Sequence, residues 1–465
     1  MVLNEVKQYV CVEIKNCGDD NLVKVITYGT YDLFHKGHYN LLKKAKELGD
    51  YLIVAVTSDG FDKARGKLNV HDSVITRVKN VEKTGLADEI IIEEYFGQKI
   101  DDIKKYNIDI FTVGSDWIGH FDYLNEYCKV IYLDRTKGIS STELRNKNLI
   151  NLGIVGSEDI IHRFNTEVKY VSGINITGIY NEDTEIAYKI SKNENIKLYN
   201  ALDKLYIEND AIYIACPPKY HYKYIKDALI NGKHVLCEFP FCLNLKDAKE
   251  LFEIAESKNL VLMEALKTAY CPAFTKIVPM IKSGVIGNII SVDACFTQIQ
   301  GEMLEKQIQR ASGGSINSLA SYPLLAIFKF LGTDYKAVSF TSKLNEKQID
   351  IYTKFDVLFD KAIGSGIVAI NAKNEGSLTV TGTKGYLYVP APWWKTNYFE
   401  IRQENIMNNS KYFYKFEGEG MRYEILDFAE CIKNNRQSIL LTKEEILAMS
   451  SVFDKFSNDI NIVKI

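Results

Sequence analysis

No two cysteines stand in a CxxC pair; the nine that occur, at 11, 17, 128, 216, 237, 242, 271, 295 and 431, are scattered and odd in number. That argues against a metal site or a disulfide framework and predicts reduced, mostly buried thiols in a cytoplasmic protein. Neither sign of charge is in excess. Lysine plus arginine (57) nearly balances aspartate plus glutamate (60), and a net charge of -3 gives no electrostatic case for nucleic acid or an anionic membrane. Apolar runs stop at strand length, as in LIVAV at 52–56, far short of the ~18 residues that membrane insertion requires. The opening MVLNEVKQYVCVEIKNC has no basic leader ahead of an apolar block, which argues against a secretory signal. Internal repeats, low-complexity tracts and long linkers are missing as well.

What is present is a chain of 465 residues, enough for about three domains. After an extension over 1–22, apolar strand-like runs recur at 23–28, 51–57, 89–93, 109–113 and 129–133, with helix-like stretches between most of them. That alternation predicts an open parallel sheet covered on both faces, with ligands at the carboxyl ends of its strands. A second α/β series follows the polar stretch 145–148, with strands at 152–155, 174–180, 211–216, 234–237 and 260–264 and helices such as 222–231 and 245–257. From about 288 the segments lengthen and alternate (289–299, 335–343, 350–359, 362–372). Long strands with few helices between them predict a mostly antiparallel sheet. Helical patterns over 423–433 and 443–456 close the chain.

The densest chemical signal is GTYDLFHKGH, 29–38, directly after the first strand. Two of only seven histidines, His35 and His38, fall three residues apart around Gly37 at the start of a helix. A helix start offers free N–H groups and the positive end of the dipole. Gly37 admits a phosphate to the backbone, and two imidazoles can donate to its oxygens. Core histidines or a metal pair are the alternatives. Polar neighbours weaken the first, and the want of a third nearby ligand weakens the second. A second cluster, Asp134-Arg135-Thr136-Lys137-Gly138-Ile139-Ser140-Ser141-Thr142, follows the last strand of this series. Two cations and four hydroxyls exceed what a helix cap needs and suit phosphate.

With these residues, 24–147 resembles the HxGH nucleotidyltransferase superfamily, and within it the glycerol-3-phosphate cytidylyltransferase group. GTYDLFHKGH, GDYLIVAVTSD (49–59), VGSDWIGHFDYL (113–124) and RTKGISST (135–142) match in order and spacing, with Arg77 between. The resemblance implies a Rossmann-like domain over 23–148 that joins CTP to glycerol 3-phosphate or a related alditol phosphate, with Mg2+ or another divalent metal. His35, His38, Lys67 and Arg135 would be catalytic. Gly29, Thr30, Tyr31, Gly37, Arg77, Asp116, Trp117, Thr136, Ser140, Ser141 and Thr142 would hold nucleotide and phosphates, and Asp32 the metal. An acceptor phosphate is already a nucleophile, so alignment and charge neutralisation suffice. The product, a CDP-alditol, would serve a teichoic-acid-like or capsular polymer.

Residues 151–465 resemble the Gfo/Idh/MocA oxidoreductase family. The resemblance implies a second Rossmann-like domain (149–270) and an α+β sheet domain (271–465). It rests on LGIVGSEDI (152–160), IYIACPP (212–218), His221, GKHVLCE (232–238), MEALKTAYCPAF (263–274), Tyr322-Pro323 and EGEGMRYE (417–424). Glu158 stands where the family's fingerprint has a glycine against the dinucleotide's pyrophosphate, Phe239 where it has a catalytic lysine, Ser318 where it has an acid, and Leu325 where it often has a histidine. Gly153, Gly156, Glu238, Lys267 and Tyr322 would be remnants of an oxidoreductase site, Tyr322 as a structural residue. Hydride transfer is expected to be absent or much altered, so NAD(P) is a doubtful cofactor. The rival reading is a bifunctional enzyme whose second part reduces a keto- or aldose phosphate with NAD(P)H. Both families imply a homo-oligomer, a dimer or larger.

Overall fold

The computed structural model describes residues 22–64, 67–68, 70, 72–134, 149–156, 158–299 and 314–465. Arg135, Thr136, Ser140, Ser141 and Thr142, expected at the phosphates, lie outside the described residues. The chain divides into two compact units between Leu149 and Ile150.

In the first unit, β1 (Lys24–Gly29), β2 (Tyr51–Thr57), β3 (Glu89–Glu93), β4 (Ile110–Gly114) and β5 (Lys129–Leu133) form a parallel sheet in the order β3-β2-β1-β4-β5. Their continuous apolar runs follow from burial on both faces. Successive side chains point to opposite sides. Val25, Leu52, Val54 and Val56 therefore pack with Leu42 and Ala45 of α1 (Lys36–Lys46). Helix α2 (Asp59–Ala64) follows β2, and Val81 of α3 (Val74–Glu82) joins the same face. Ile26, Ile53, Ala55, Phe111 and Val113 meet Ile103 of α4 (Gln98–Tyr106) on the other. Leu42 is wholly buried; truncating it to alanine should cost about 2–5 kcal/mol. Strand order reverses between β1 and β4, and the crevice at their carboxyl ends is where such sheets take ligands.

The second unit opens with β6 (Ile150–Gly156), β7 (Ile174–Tyr180), β8 (Lys197–Leu198), β9 (Ala211–Ala215), β10 (His234–Glu238) and β11 (Leu262–Ala265), parallel in the order β11-β10-β9-β6-β7-β8. Between them lie α5 (Glu158–Val168), α6 (Thr184–Glu194), α7 (Leu202–Glu208), α8 (His221–Ile230) and α9 (Leu245–Ser257). Helix α10 (Pro272–Lys282) leads to the strands β12 (Ile289–Thr297), β13 (Ala337–Leu344), β14 (Asp350–Leu358), β15 (Ile363–Ala369), β16 (Leu378–Gly382), β17 (Gly385–Val389), β18 (Tyr398–Gln403), β19 (Ser410–Phe413) and β20 (Ile462–Lys464). These make one sheet, antiparallel except where β12 meets β15 and β13 meets β20. Helices α11 (Ser315–Leu319) and α12 (Ser321–Leu331) precede β13. The almost wholly apolar α12 is buried through Phe330. It lies so close to β15 that a Cβ on Gly364 would come within 2.5 Å of Ile327. Helices α13 (Met421–Lys433) and α14 (Lys443–Ser457) complete the unit. Among the described residues no helix is long and apolar enough to cross a membrane.

Candidate active site

The loop leaving β1 carries the first site. His35 is the N-cap of α1, and its Nδ1 accepts from the Gly37 N–H at 3.0 Å. An Nδ1 that accepts leaves Nε2 as the N–H of the neutral ring. The His38 ring stacks on it with centroids 4.0 Å apart and planes 20° apart, and Tyr31 and Phe34 also pack against His38. The first turn of α1 holds no acidic residue, whereas Lys43, Lys44 and Lys46 occupy the last. The positive end of the dipole is thus left for an external anion. Tyr31 and Leu33 take left-handed φ angles of 53° and 46°. That conformation is uncommon for side-chain-bearing residues. It is pinned by Asp72, whose carboxylate accepts from the Leu33 N–H at 3.1 Å while its own N–H donates to Asp32 at 2.8 Å.

Lys67 reaches this loop, its Nζ 2.6 Å from the Thr30 hydroxyl. Asp116 and Trp117 lie on the turn Ser115–Trp117 directly after β4, across the crevice, with the Trp117 indole 48% exposed. At the far end of the sheet, Lys44 of α1 donates to the Asp134 carbonyl at 2.9 Å. The chain entering the second cluster is thereby tied to the helix of the histidines. The ends of β1 and β5 lie two strand spacings apart, roughly 10 Å.

Arg77, expected at a phosphate, is held by the protein's own oxygens. It is wholly buried, and its guanidinium donates to the carbonyls of Thr30 (2.8 Å), Thr57 (2.7 Å) and Asp72 (2.9 Å) and pairs with Asp59 and Asp62. A guanidinium offers only five N–H groups, and in this geometry they brace the ends of β1 and β2. Gly29 also has a structural reason, since a Cβ there would fall 2.8 Å from the Tyr31 ring. Asp32 is 2% exposed. Among the described residues no group of three or more His, Cys, Asp or Glu gathers as a metal cage. Magnesium commonly takes one or two carboxylates and completes its shell with substrate phosphates and water.

In the second unit, Glu238 ends β10 and accepts a hydrogen bond from Tyr213. Burial pushes its pKa up to about 7, against the pull of that hydrogen bond and the Lys267 and Arg163 charges. Lys267 begins the turn after β11, its Nζ 3.9 Å from the Glu419 carboxylate. Burial, then Lys395, holds its pKa below the ordinary amine range. Phe239 meets Tyr322 edge-on at 5.0 Å, and Tyr322 stacks on Phe296 at 4.5 Å. His221 is a buried tie between the carbonyls of Cys216 and Pro240. The retained glycines have packing reasons: a Cβ on Gly153 would strike Leu205, and one on Gly156 would lie 2.8 Å from the Ala215 carbonyl. Glu158 opens α5 where a dinucleotide's pyrophosphate would meet the turn.

Sequence reading missed Tyr213, Arg163, Lys395, Glu264, Glu419 and Glu424 as members of this cluster. The last two lie in the EGEGMRYE segment, which marked the fold without revealing that Glu424 is buried or that Glu419 meets two lysines.

Residues 26–147 match the family described as cytidylyltransferase-like. Residues 150–266 match the oxidoreductase family with an NAD-binding Rossmann fold, and 274–388 the GFO/IDH/MocA C-terminal domain. A glycerol-3-phosphate cytidylyltransferase from Bacillus spizizenii is 52% identical over 122 residues, 26% of this chain and 94% of the relative. The enzyme of the same name from Staphylococcus aureus is 47% identical, over 27% of this chain and 93% of its own. The crystal structure of a 3-ketoreductase from Actinomadura kijaniata with NADP and TDP-benzene covers 68% of this chain and 100% of its own, with a TM-score of 0.62 and 20% identity. That likeness speaks for the fold of the second unit. With the histidine pair at the strand ends and these matches over 26–147, the chain belongs to the cytidylyltransferase-like family, and it carries behind that domain a unit of the GFO/IDH/MocA oxidoreductase family.

Proposed function

We propose that the first unit transfers the cytidylyl group of CTP to the phosphate of glycerol 3-phosphate or a related alditol phosphate, releasing pyrophosphate. The observation that carries this reading is the stacked His35–His38 pair at the open N-terminus of α1. An acceptor phosphate oxygen attacks the α-phosphorus and the bond to the pyrophosphate breaks. The chain's task is to align the reactants and neutralise charge. His35 Nε2–H and His38 donate to the phosphates, and Lys67 adds a charge beside Thr30. Asp116 and Trp117 close the crevice from β4, and 135–142 supplies the remaining cations and hydroxyls. Arg77 acts as a positioning residue that fixes the Thr30 backbone. Magnesium, held by Asp32 and the triphosphate, would supply further charge neutralisation. Pyrophosphate release from CTP with a panel of alditol phosphates tests the reading; efficient replacement of CTP by ATP would overturn the cytidine assignment.

The second unit, on this reading, does not transfer hydride. Phe239 can neither give nor take a proton, Leu325 likewise, and Glu158 opposes a dinucleotide. The rival reading, reduction of a keto- or aldose phosphate with NAD(P)H, draws support from the family's NAD-binding fold and from Lys267 near Glu238. Fluorescence titration with NADH and NADPH separates the two: binding at sub-millimolar concentration favours the reductase, and no binding by either removes it.

A further inference from the structure

Lys99 lies in the first turn of α4 with its side chain 15% exposed, and its ammonium pairs with the Glu93 carboxylate. Glu93, the last residue of β3, is buried, and its other oxygen accepts from the Thr57 hydroxyl at 2.9 Å. Thr57 ends β2, and its carbonyl is one of those that Arg77 holds. The pair is thus built into the carboxyl ends of the strands, where the crevice lies. Stability gives little reason for a lysine here. A cation in the first turn opposes the helix dipole, and a buried ion pair is often no better than apolar side chains of the same volume.

The ammonium also faces two rings, 4.4 Å from the centroid of Tyr28 and 5.5 Å from that of Phe121, both within the reach of a cation–π attraction. Tyr28 is fixed by its hydroxyl, which donates to Asp102 at 2.8 Å. Phe121 belongs to the loop after β4. Its backbone N–H donates to the Tyr132 hydroxyl at 3.2 Å, and its ring packs on Phe111 at 5.3 Å and on Trp117 at 5.8 Å. Trp117 is half exposed, so its place depends on the rings it leans on, Phe121 and, edge-on at 5.6 Å, His120. A continuous line of contacts therefore runs from Glu93 through Lys99 and Phe121 to Trp117.

We propose that Lys99 is a positioning residue for the crevice: anchored by Glu93, it holds the Phe121 ring and thereby sets where Trp117 meets the substrate. This rests on the reading of the first unit as a cytidylyltransferase and adds to it a residue that touches neither substrate.

The other tryptophans, Trp393 and Trp394, belong to the second unit, so the difference between a full-length protein and its Trp117→Phe counterpart is the emission of Trp117. Lys99→Met should raise the quenching of that emission by acrylamide, and Lys99→Arg, which keeps a cation for the ring, should restore it. In pyrophosphate release with CTP and glycerol 3-phosphate, Lys99→Met should raise the same KM that Trp117→Ala raises, about three- to tenfold, with kcat within about threefold. The two variants combined should do no more than Trp117→Ala alone. Lys99→Met with Glu93→Gln leaves no buried carboxylate unpaired and keeps an acceptor for Thr57, so it should regain stability while the KM stays raised. Parental Trp117 quenching in Lys99→Met overturns the proposal. So do a KM that returns with stability in the paired variant, multiplying effects of Lys99→Met and Trp117→Ala, and a Trp117→Ala protein with both KM values unchanged. If the parent releases no pyrophosphate, the cytidylyltransferase reading falls, and the quenching of Trp117 still decides whether Lys99 holds it.

Discussion

His35 and His38 stack face to face, their ring centroids 4.0 Å apart, while His35 Nδ1 is occupied by the Gly37 N–H. One ring is thus held by the helix start, and the other is held by the first together with Tyr31 and Phe34. The pair works as a unit. His38→Ala should lower kcat for pyrophosphate release about 10²–10⁴-fold, the range for removing a group that stabilises charge in the transition state. CTP affinity should change far less. A loss of CTP affinity with kcat unchanged would assign His38 to nucleotide binding alone.

Arg77 leads to a prediction of a different kind. Its partners are the protein's own oxygens at the ends of β1 and β2. Arg77→Met would remove its guanidinium from Asp62, 1% exposed, and from the carbonyls of Thr30 and Thr57, and breaking a buried pair in this way costs about 3–5 kcal/mol. Urea unfolding of the first unit should register that loss. A fully stable Arg77→Met protein with a raised KM for the alditol phosphate would return Arg77 to the substrate.

Much of this fold is legible in the sequence because both kinds of sheet announce themselves through burial. Strands 51–57, 89–93 and 129–133 coincide with β2, β3 and β5, since apolar runs buried on two faces end where the polar loops begin. The helix over 245–257 coincides with α9, which Asn244 caps. The short strands β16 to β19 escaped notice. They alternate polar and apolar residues over only four to six positions, too few to fix a period. At the site, sequence could place His35 and His38 because the loop and helix start are local. It could not show Arg77 turning inward, nor Glu419 lying between Lys267 and Lys395. Those facts depend on segments more than a hundred residues apart for Lys267 and Glu419, and residue type does not encode them.

Glu264 makes the second unit sensitive to pH. Its carboxyl accepts from the Phe241 N–H at 2.9 Å, the other oxygen has no partner, and burial pushes its pKa from 4.5 up to about 8. A carboxyl with a raised folded pKa binds more protons folded than unfolded. Its contribution is most favourable below about 4.5, and stability declines as pH rises toward about 8. Glu238, pushed up to about 7, acts in the same direction. Glu264→Gln keeps an acceptor for Phe241 and removes the titration. In urea unfolding followed through Trp393 and Trp394 in the Trp117→Phe background, the variant should show a flatter decline between pH 5 and 8. At pH 8.5 it should gain on the order of 1–3 kcal/mol over the parent. Parallel profiles would mean that Glu264 does not titrate in this window.

The last prediction concerns Gly29, whose φ needs no glycine but whose missing side chain does. A Cβ at this position would lie 2.8 Å from the Tyr31 ring, which is 3% exposed and edge-on to His38 at 5.6 Å. Gly29→Ala therefore pushes Tyr31 toward His38 from beneath. Overpacking of this kind costs about 1–3 kcal/mol, a loss the first unit can bear. Displacing His38 by a fraction of an ångström should cost more in rate, about 10–100-fold in kcat. The readout is the ratio of the two effects: a modest fall in the urea midpoint with a large fall in pyrophosphate release. Loss of stability with normal turnover would show that the Tyr31 ring does not set the position of His38. Tyr31→Leu in the Gly29→Ala background should restore part of the rate, because a smaller side chain leaves room for the added methyl.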